Sequence, residues 1–155
     1  MSSGHSKHGP YLRLLAMVVL SFLAMYVLMY AMVDQLAHVF NNINQVYMAA
    51  LMAAAMAPIE LLVMRSMYPN RLWNIVVLIA ALVALAGFWF LVREQTFVSD
   101  CQFLRSMIPH HGGAILMCEK NELEEERVRA LCREIIRSQR AEIAQMQTWL
   151  AEPKK

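Results

Sequence analysis

A chain of 155 residues that is 59% hydrophobic and only 17% charged is too apolar for a soluble domain of its size and fits a small membrane protein. Its formal net charge of +2 excludes the strongly basic footprint that nucleic-acid binding needs, so no nucleic-acid partner is expected. Methionine is the outlier, with 13 residues, although methionine packs in any apolar surrounding.

Residues 1–12 read as a cytoplasmic N-terminal tail. Its "HSKHG" is a disordered segment or, alternatively, a two-histidine metal site on His5 and His8. Three uncharged runs follow within residues 13–92. Leu14 to Val33 is 20 residues between Arg13 and Asp34, and Leu72 to Val92 is 21 residues between Arg71 and Arg93. Val46 to Ile59 is 14 residues and continues as Leu61 to Met64 beyond a single Glu60. A hydrocarbon core of about 30 Å takes about 20 apolar residues, so three transmembrane helices are expected, with lipid as their partner. Lys7 and Arg13 precede the first, Arg65 and Arg71 lie between the second and third, and the intervening "DQLAHVFNNINQ" has no Lys or Arg. The positive-inside rule then places the N-terminus in the cytoplasm and residues 93–155 in the periplasm of a bacterial inner membrane. The first helix reads as an uncleaved anchor.

Met25, Met29 and Met32 lie on one narrow face of the first helix, and Met48, Met52 and Met56 follow at i+4 steps in the second. With Asp34 and His38 they form either a thioether funnel or flexible apolar packing. Glu60 is expected to snorkel or to pair with Arg65 or Arg71, and Asn74 to serve packing.

From Arg93 the composition changes, and charged residues appear at helical spacing. Phe103, Met107, His110, Ala114 and Met117 share one helical face, flanked by His111 and Cys118. A second series runs Val128, Cys132, Ile136, Gln139, Ile143, Met146, Leu150. Asn121 ends the first helix, the acidic "NELEEE" suits the start of the second, and Pro109 kinks the first or begins a new one. The expected fold is all-α: three transmembrane helices, then an antiparallel helical hairpin over residues 93–155. Helical rise brings Cys118 level with residues 129–132, His111 with 136–139, Met107 with 140–143 and Met146 with 101–104. A hairpin of about 55 residues has too little core to stand alone. It is expected to complete a four-helix bundle as a homodimer or higher homo-oligomer, or to pack on membrane helices or lipid.

Met107, His110, His111, Met117 and Cys118 fall within three helical turns, and all are soft or borderline metal ligands. Sulfur with imidazole selects Cu(I), with Zn(II) or Ag(I) as competitors. No HExxH, EF-hand or CxxC pattern is present, and residues 107 and 108 are not the Glu-x-x of a di-iron motif. Cys118 and Cys132 form a disulfide in an oxidising compartment or act as thiolate ligands; Cys101 is left over as a packed thiol or an intermolecular link.

"FLRSMIPHHGGAILMCEK" followed by "RALCREIIRSQRAEIAQMQTWL" resembles the domain-of-unknown-function 305 family over about residues 97–150. The resemblance implies a ferritin-like helical domain and, in some members, periplasmic copper binding linked to copper resistance. It implicates Met107, His110, His111, Met117 and Met146 as copper ligands, and Cys118 and Cys132 match a subset of such sequences. Many members are secreted with a repeated hairpin, whereas this chain carries one hairpin behind three membrane helices. Three readings follow. The first is a non-enzymatic membrane protein that holds Cu(I) for buffering, handover to a donor or acceptor protein, or resistance. The second is a metal-free assembly protein that oligomerises through the hairpin. The third is a copper- or thiol-dependent redox enzyme.

Overall fold

The computed structural model describes residues 9–152, so His5 and His8 lie outside the described residues. The described chain is all-α: α1 Gly9–Leu28, α2 Ile43–Val63, α3 Arg71–Arg93, α4 Asp100–Lys120 and α5 Glu126–Ala151. Three helices, Gly9–Met32, Ile43–Val63 and Arg71–Arg93, are long and apolar enough to cross a membrane. Their bounds match the three uncharged runs.

The chain divides into two compact units, and the division is not the linear one expected at residue 93. One unit runs to Leu28 and takes in Val46–Thr96; the other joins Met29–Gln45 to the chain from Phe97 onward.

In the first unit, Leu14, Ala57, Tyr68 and Ala81 are buried together, with Tyr11, Met17, Val18, Leu61 and Val77 around them. Small residues let the helices approach. Ala49, Ala53 and Ala57, at i+4 steps, are the buried row of α2, and the neighbouring Met48 is exposed. The outward residues are large and apolar, Leu20, Leu62 and Val83 among them, which suits contact with hydrocarbon. Polar side chains pair at one end of this unit. Tyr11 Oη donates to Asn74 Oδ1 at 2.8 Å, and Asn74 Nδ2 donates to the Tyr68 carbonyl at 2.9 Å, which gives Asn74 its packing role. Glu60 accepts from Tyr68 Oη at 3.2 Å, and among the described residues it forms no ion pair with Arg65 or Arg71. Of the partners expected for Glu60, neither arginine is bonded to it; the Tyr68 phenol is. Asn70 caps α3 through the amides of Leu72 and Trp73, at 3.0 and 3.2 Å.

α1 stops at Leu28, and Met29–Met32 is a 3-10 turn. The expected single face of Met25, Met29 and Met32 assumed α-helical phase throughout. A 3-10 turn advances about 120° per residue, so Met29 and Met32, three residues apart, stay in line.

In the second unit α4 and α5 pack antiparallel, with Cys118 bonded to Cys132 and His111 beside Glu142. Ser99 caps α4 by accepting from the Gln102 amide, and Asp100 and Lys120 oppose the helix dipole at its two ends. α4 is continuous through Pro109, so Pro109 does not begin a new helix. Ile108 and Ile115 are fully buried with Ile143 and Met146, and Phe40, Leu104, Met107 and Leu150 close the cluster. Each buried isoleucine contributes about 1.5–3 kcal/mol.

The core-facing stripe of α4 is therefore Leu104, Ile108, His111 and Ile115, not the expected Phe103, Met107, His110, Ala114 and Met117. Phe103, His110 and Met117 are exposed. The two stripes flank Cys118 on either side of the helix, so its bond to Cys132 is compatible with both; the observed one, which holds the fully buried Ile108 and Ile115, lies about 100° round α4 from the expected one. The α5 series holds as expected, with Ile143 and Met146 at its buried centre.

Segment 29–45 supplies the additional core that the hairpin needed. It crosses α4 at Gly112 and Gly113: a Cβ on Gly112 would stand 2.5 Å from Asp34 Oδ1, and one on Gly113 would stand 3.3 Å from the Met32 carbonyl oxygen. Two adjacent glycines inside a helix each cost about 0.5–1 kcal/mol relative to alanine, and this close approach is what they permit. Gln102 Oε1 accepts from the Ile43 amide at 2.9 Å, and Asn42 Oδ1 accepts from the Gln45 amide at 2.9 Å, so the start of α2 is capped from both sides.

Candidate functional site

α4 carries the sequence-predicted ligands, but their positions around its circumference separate them. His111 is 6% exposed and lies at the α4–α5 contact. Its Nε2 meets Glu142 Oε2 at 2.7 Å. An ionised carboxylate only accepts, so Nε2 carries the hydrogen, and in the neutral ring Nδ1 is a bare lone pair. That Nδ1 is buried with no hydrogen-bond partner among the described residues. The expected level of His111 was residues 136–139; the observed partner, Glu142, stands about one turn further along α5. Glu142 was not singled out from the sequence, because a half-exposed glutamate in a charged helix reads as solvated surface. The available signal was its place in "RAEIAQMQ", immediately before the buried Ile143.

His110 is exposed, and its ring centroid lies 6.2 Å from that of His111 with the planes 65° apart. Adjacent residues on a helix point about 100° apart, so one histidine is inside and the other outside. Met107 is half-buried and packs on the Ile108–Ile143 cluster, one helical turn before His111. Met117 is 59% exposed, on the outer side of α4. Met146 is 6% exposed and packs as an ordinary core side chain beneath α4.

Cys118 and Cys132 are joined as a disulfide with Cα atoms 5.3 Å apart. Of the two readings left open for them, this is the disulfide, and in this state neither sulfur is a thiolate ligand. Cys101 is a free, half-buried thiol. Among the described residues no three His, Cys, Asp or Glu side chains gather at metal-binding distance. The soft donors one chain brings into a neighbourhood are thus His111, Met107 and the outward-facing His110.

A second polar pair sits in segment 29–45. His38 Nδ1 donates to Asp34 Oδ1 at 2.7 Å, and His38 Nε2 accepts from Gln35 Nε2 at 2.8 Å. Both ring nitrogens are satisfied, so His38 differs from His111 and reads as structural. Asp34, Gln35 and His38 line a polar cleft of about 400 Å³ with Glu119, Arg140 and Gln147, where Arg140 bonds Glu119 at 2.5 Å. At the far end of the hairpin, hydrogen bonds from Arg133 and Arg129 hold the Glu126 carboxyl below its usual range.

Residues 91–152 match the family model described as "Domain of unknown function (DUF305)". The "Uncharacterized protein L153" of Acanthamoeba polyphaga mimivirus is 31% identical over 144 residues, which cover 91% of this chain and 93% of that protein. No solved structure matches. The likeness to the viral relative extends through the apolar helices as well as the hairpin, and with the match at residues 91–152 it means that the chain belongs to the domain-of-unknown-function 305 family.

Proposed function

We propose that this is a copper-binding protein of the bacterial inner membrane, with its N-terminus in the cytoplasm and its hairpin in the periplasm, holding Cu(I) for buffering, handover or resistance. The observation that carries the reading is His111: a buried imidazole whose Nε2–H is fixed on Glu142 and whose Nδ1 lone pair is unpartnered, one turn from the Met107 thioether. A carboxylate holding the far nitrogen of a histidine is the usual second layer of a metal site, since it fixes the tautomer and raises ligand basicity. Imidazole with thioether favours a soft monovalent ion over hard cations. His110 and Met117 add donors on the outer side of α4. The orientation rests on the Lys and Arg distribution around the apolar helices. The protein is a holder of the ion, with no catalytic step assigned.

The test is an anaerobic Cu(I) titration of the full-length protein in detergent, against a chromophoric Cu(I) chelator, with ascorbate keeping the copper reduced. Replacing Met107, His110 and His111 together by Ala is expected to abolish most binding while the helical circular dichroism persists. Protons compete for the imidazole nitrogens, so wild-type affinity is expected to fall on acidification. Unchanged copper stoichiometry in a folded triple variant would reject the reading.

A further inference from the structure

The first unit carries an unbalanced charge at one end. Arg13 lies early in α1, Arg65 in the turn after α2 and Arg71 at the start of α3, and all three are exposed. None of the three guanidiniums forms an ion pair or hydrogen bond among the described residues. Against them stands one carboxylate, Glu60, whose Oε1 already accepts from Tyr68. At the other end of α3, Arg93 is followed at once by Glu94. Tyr11 ties the charged end together. Its Oη lies 3.1 Å from the Asn70 carbonyl oxygen, and its ring centroid lies 5.4 Å from that of Tyr68 and 6.0 Å from that of Trp73.

An apolar groove of about 290 Å³ lies between α1, α2 and α3. Val18 and Phe22 of α1, Ala50 and Ala54 of α2, and Ala84 and Phe88 of α3 line it, and no polar side chain does. The groove continues from the charged end. Val18 and Phe22 stand 7 and 11 residues beyond Tyr11 on the same side of α1, and Ala84 stands 11 residues beyond Trp73 on the same side of α3. The helical rise puts them roughly 10–16 Å from the aromatic pair, the depth of one leaflet of a hydrocarbon core about 30 Å thick.

We infer that the first unit binds one lipid with an anionic phosphate headgroup, an acyl chain lying in the groove and the phosphate among Arg13, Arg65 and Arg71. The inference uses the reading of these helices as membrane spans and is independent of copper. Guanidinium forks recognise phosphate oxygens bidentately, and three unpaired ones at one end call for an anion. Tyr11 and Trp73 sit between headgroup and chain, where amphipathic rings are favoured. Charge complementarity decides the occupant. A packed helix would fill the groove but leave the guanidiniums unanswered, and a zwitterionic lipid brings them no net charge.

Native mass spectrometry of the full-length protein in detergent, with phosphatidylglycerol or phosphatidylcholine of identical chains added, tests this. One phosphatidylglycerol per chain is expected to stay bound, with an affinity at least roughly tenfold above that of phosphatidylcholine. Replacing Arg13, Arg65 and Arg71 together by Gln should abolish the preference. Ala50→Phe and Ala84→Phe fill the groove from different helices, and each should weaken retention of both lipids while the helical circular dichroism persists. Ala86→Phe, on the exposed side of α3, should not. Glycerol phosphate, the same anion without chains, should not compete at equal concentration. Equal retention of the two lipids by the wild type, undiminished retention in both groove variants, or displacement by glycerol phosphate overturns the inference and leaves the membrane reading standing. A protein that stays monodisperse without detergent overturns both.

Discussion

Gly112→Ala separates a helix glycine that serves close approach from one that is merely tolerated. In an unobstructed helix interior the change gains about 1 kcal/mol in propensity. Here the new Cβ would stand 2.5 Å from Asp34 Oδ1, so the carboxylate must move. Asp34 is not a free side chain, because its Oδ1 holds His38 Nδ1 at 2.7 Å and its side chain is only 12% exposed. Staying in place means overpacking, about 1–3 kcal/mol. Swinging away forfeits a hydrogen bond to a charged group, about 1.5–3 kcal/mol. Set against the propensity gain, the net cost falls at about 0–2 kcal/mol, borne by the docking of segment 29–45. Hydrogen exchange reads that docking directly: amides of residues 29–45 should exchange faster in Gly112→Ala, by up to roughly 30-fold. With Asp34→Ala already in place the obstruction is gone, and the same substitution should become stabilising by about 1 kcal/mol. A Gly112→Ala variant that slows exchange in the wild-type background would refute the argument.

The native protein should present one reactive thiol, Cys101, and three after reduction, as counted by a thiol reagent in detergent. Opening the Cys118–Cys132 bridge, whose ends are 14 residues apart, should cost the hairpin about 3 kcal/mol, visible as a lower thermal midpoint. Glu126 should titrate below ordinary carboxylates by NMR, and Arg133→Gln should move it back up. Its carboxylate is held low in the fold, so its contribution to α5 is present above the unfolded carboxylate range and lost as pH falls through the lowered value. Glu142→Gln keeps an acceptor near His111, whereas Glu142→Ala removes it. Imidazole ¹⁵N shifts should report the Nε2–H tautomer retained in the first and mixed with Nδ1–H in the second.

The three apolar helices were legible because runs of about 20 uncharged residues have one strong physical reading. The helix pair was legible from its period, its turn and its level: Cys118 against Cys132 followed from helical rise alone. The inward face of α4 was not, because two apolar stripes overlap on it. Counting hydrophobic side chains favours the Phe103 row, and the two rows flank Cys118 about equally, so its bond does not by itself select Ile108 and Ile115. The Gly112–Gly113 pair was equally opaque, since the residues that approach it lie about 80 positions earlier in the chain. His111 and His110 were recognisable as donors, but which one is buried depends on the same phase, and Glu142 depends on which one is buried. Met146, expected as a ligand, is consumed by packing.

The composition of the second unit orders the events of its biosynthesis. Segment 29–45 leaves the ribosome long before α4 exists, and two apolar helices are made in between. Gly112, Gly113 and Gln102 therefore find their partners only after α2 and α3 have been made, a contact of long sequence separation. If α2 and α3 each cross a membrane, two crossings return the chain to the side it left, and the segment and the hairpin meet on one face of the bilayer. A fragment cut at the start of the 91–152 match would carry the groove without its strap, exposing Ile108 and its neighbours along the edge that Phe40 covers. For this chain, a fragment confined to residues 91–152 thus lacks part of the unit that completes the hairpin's core.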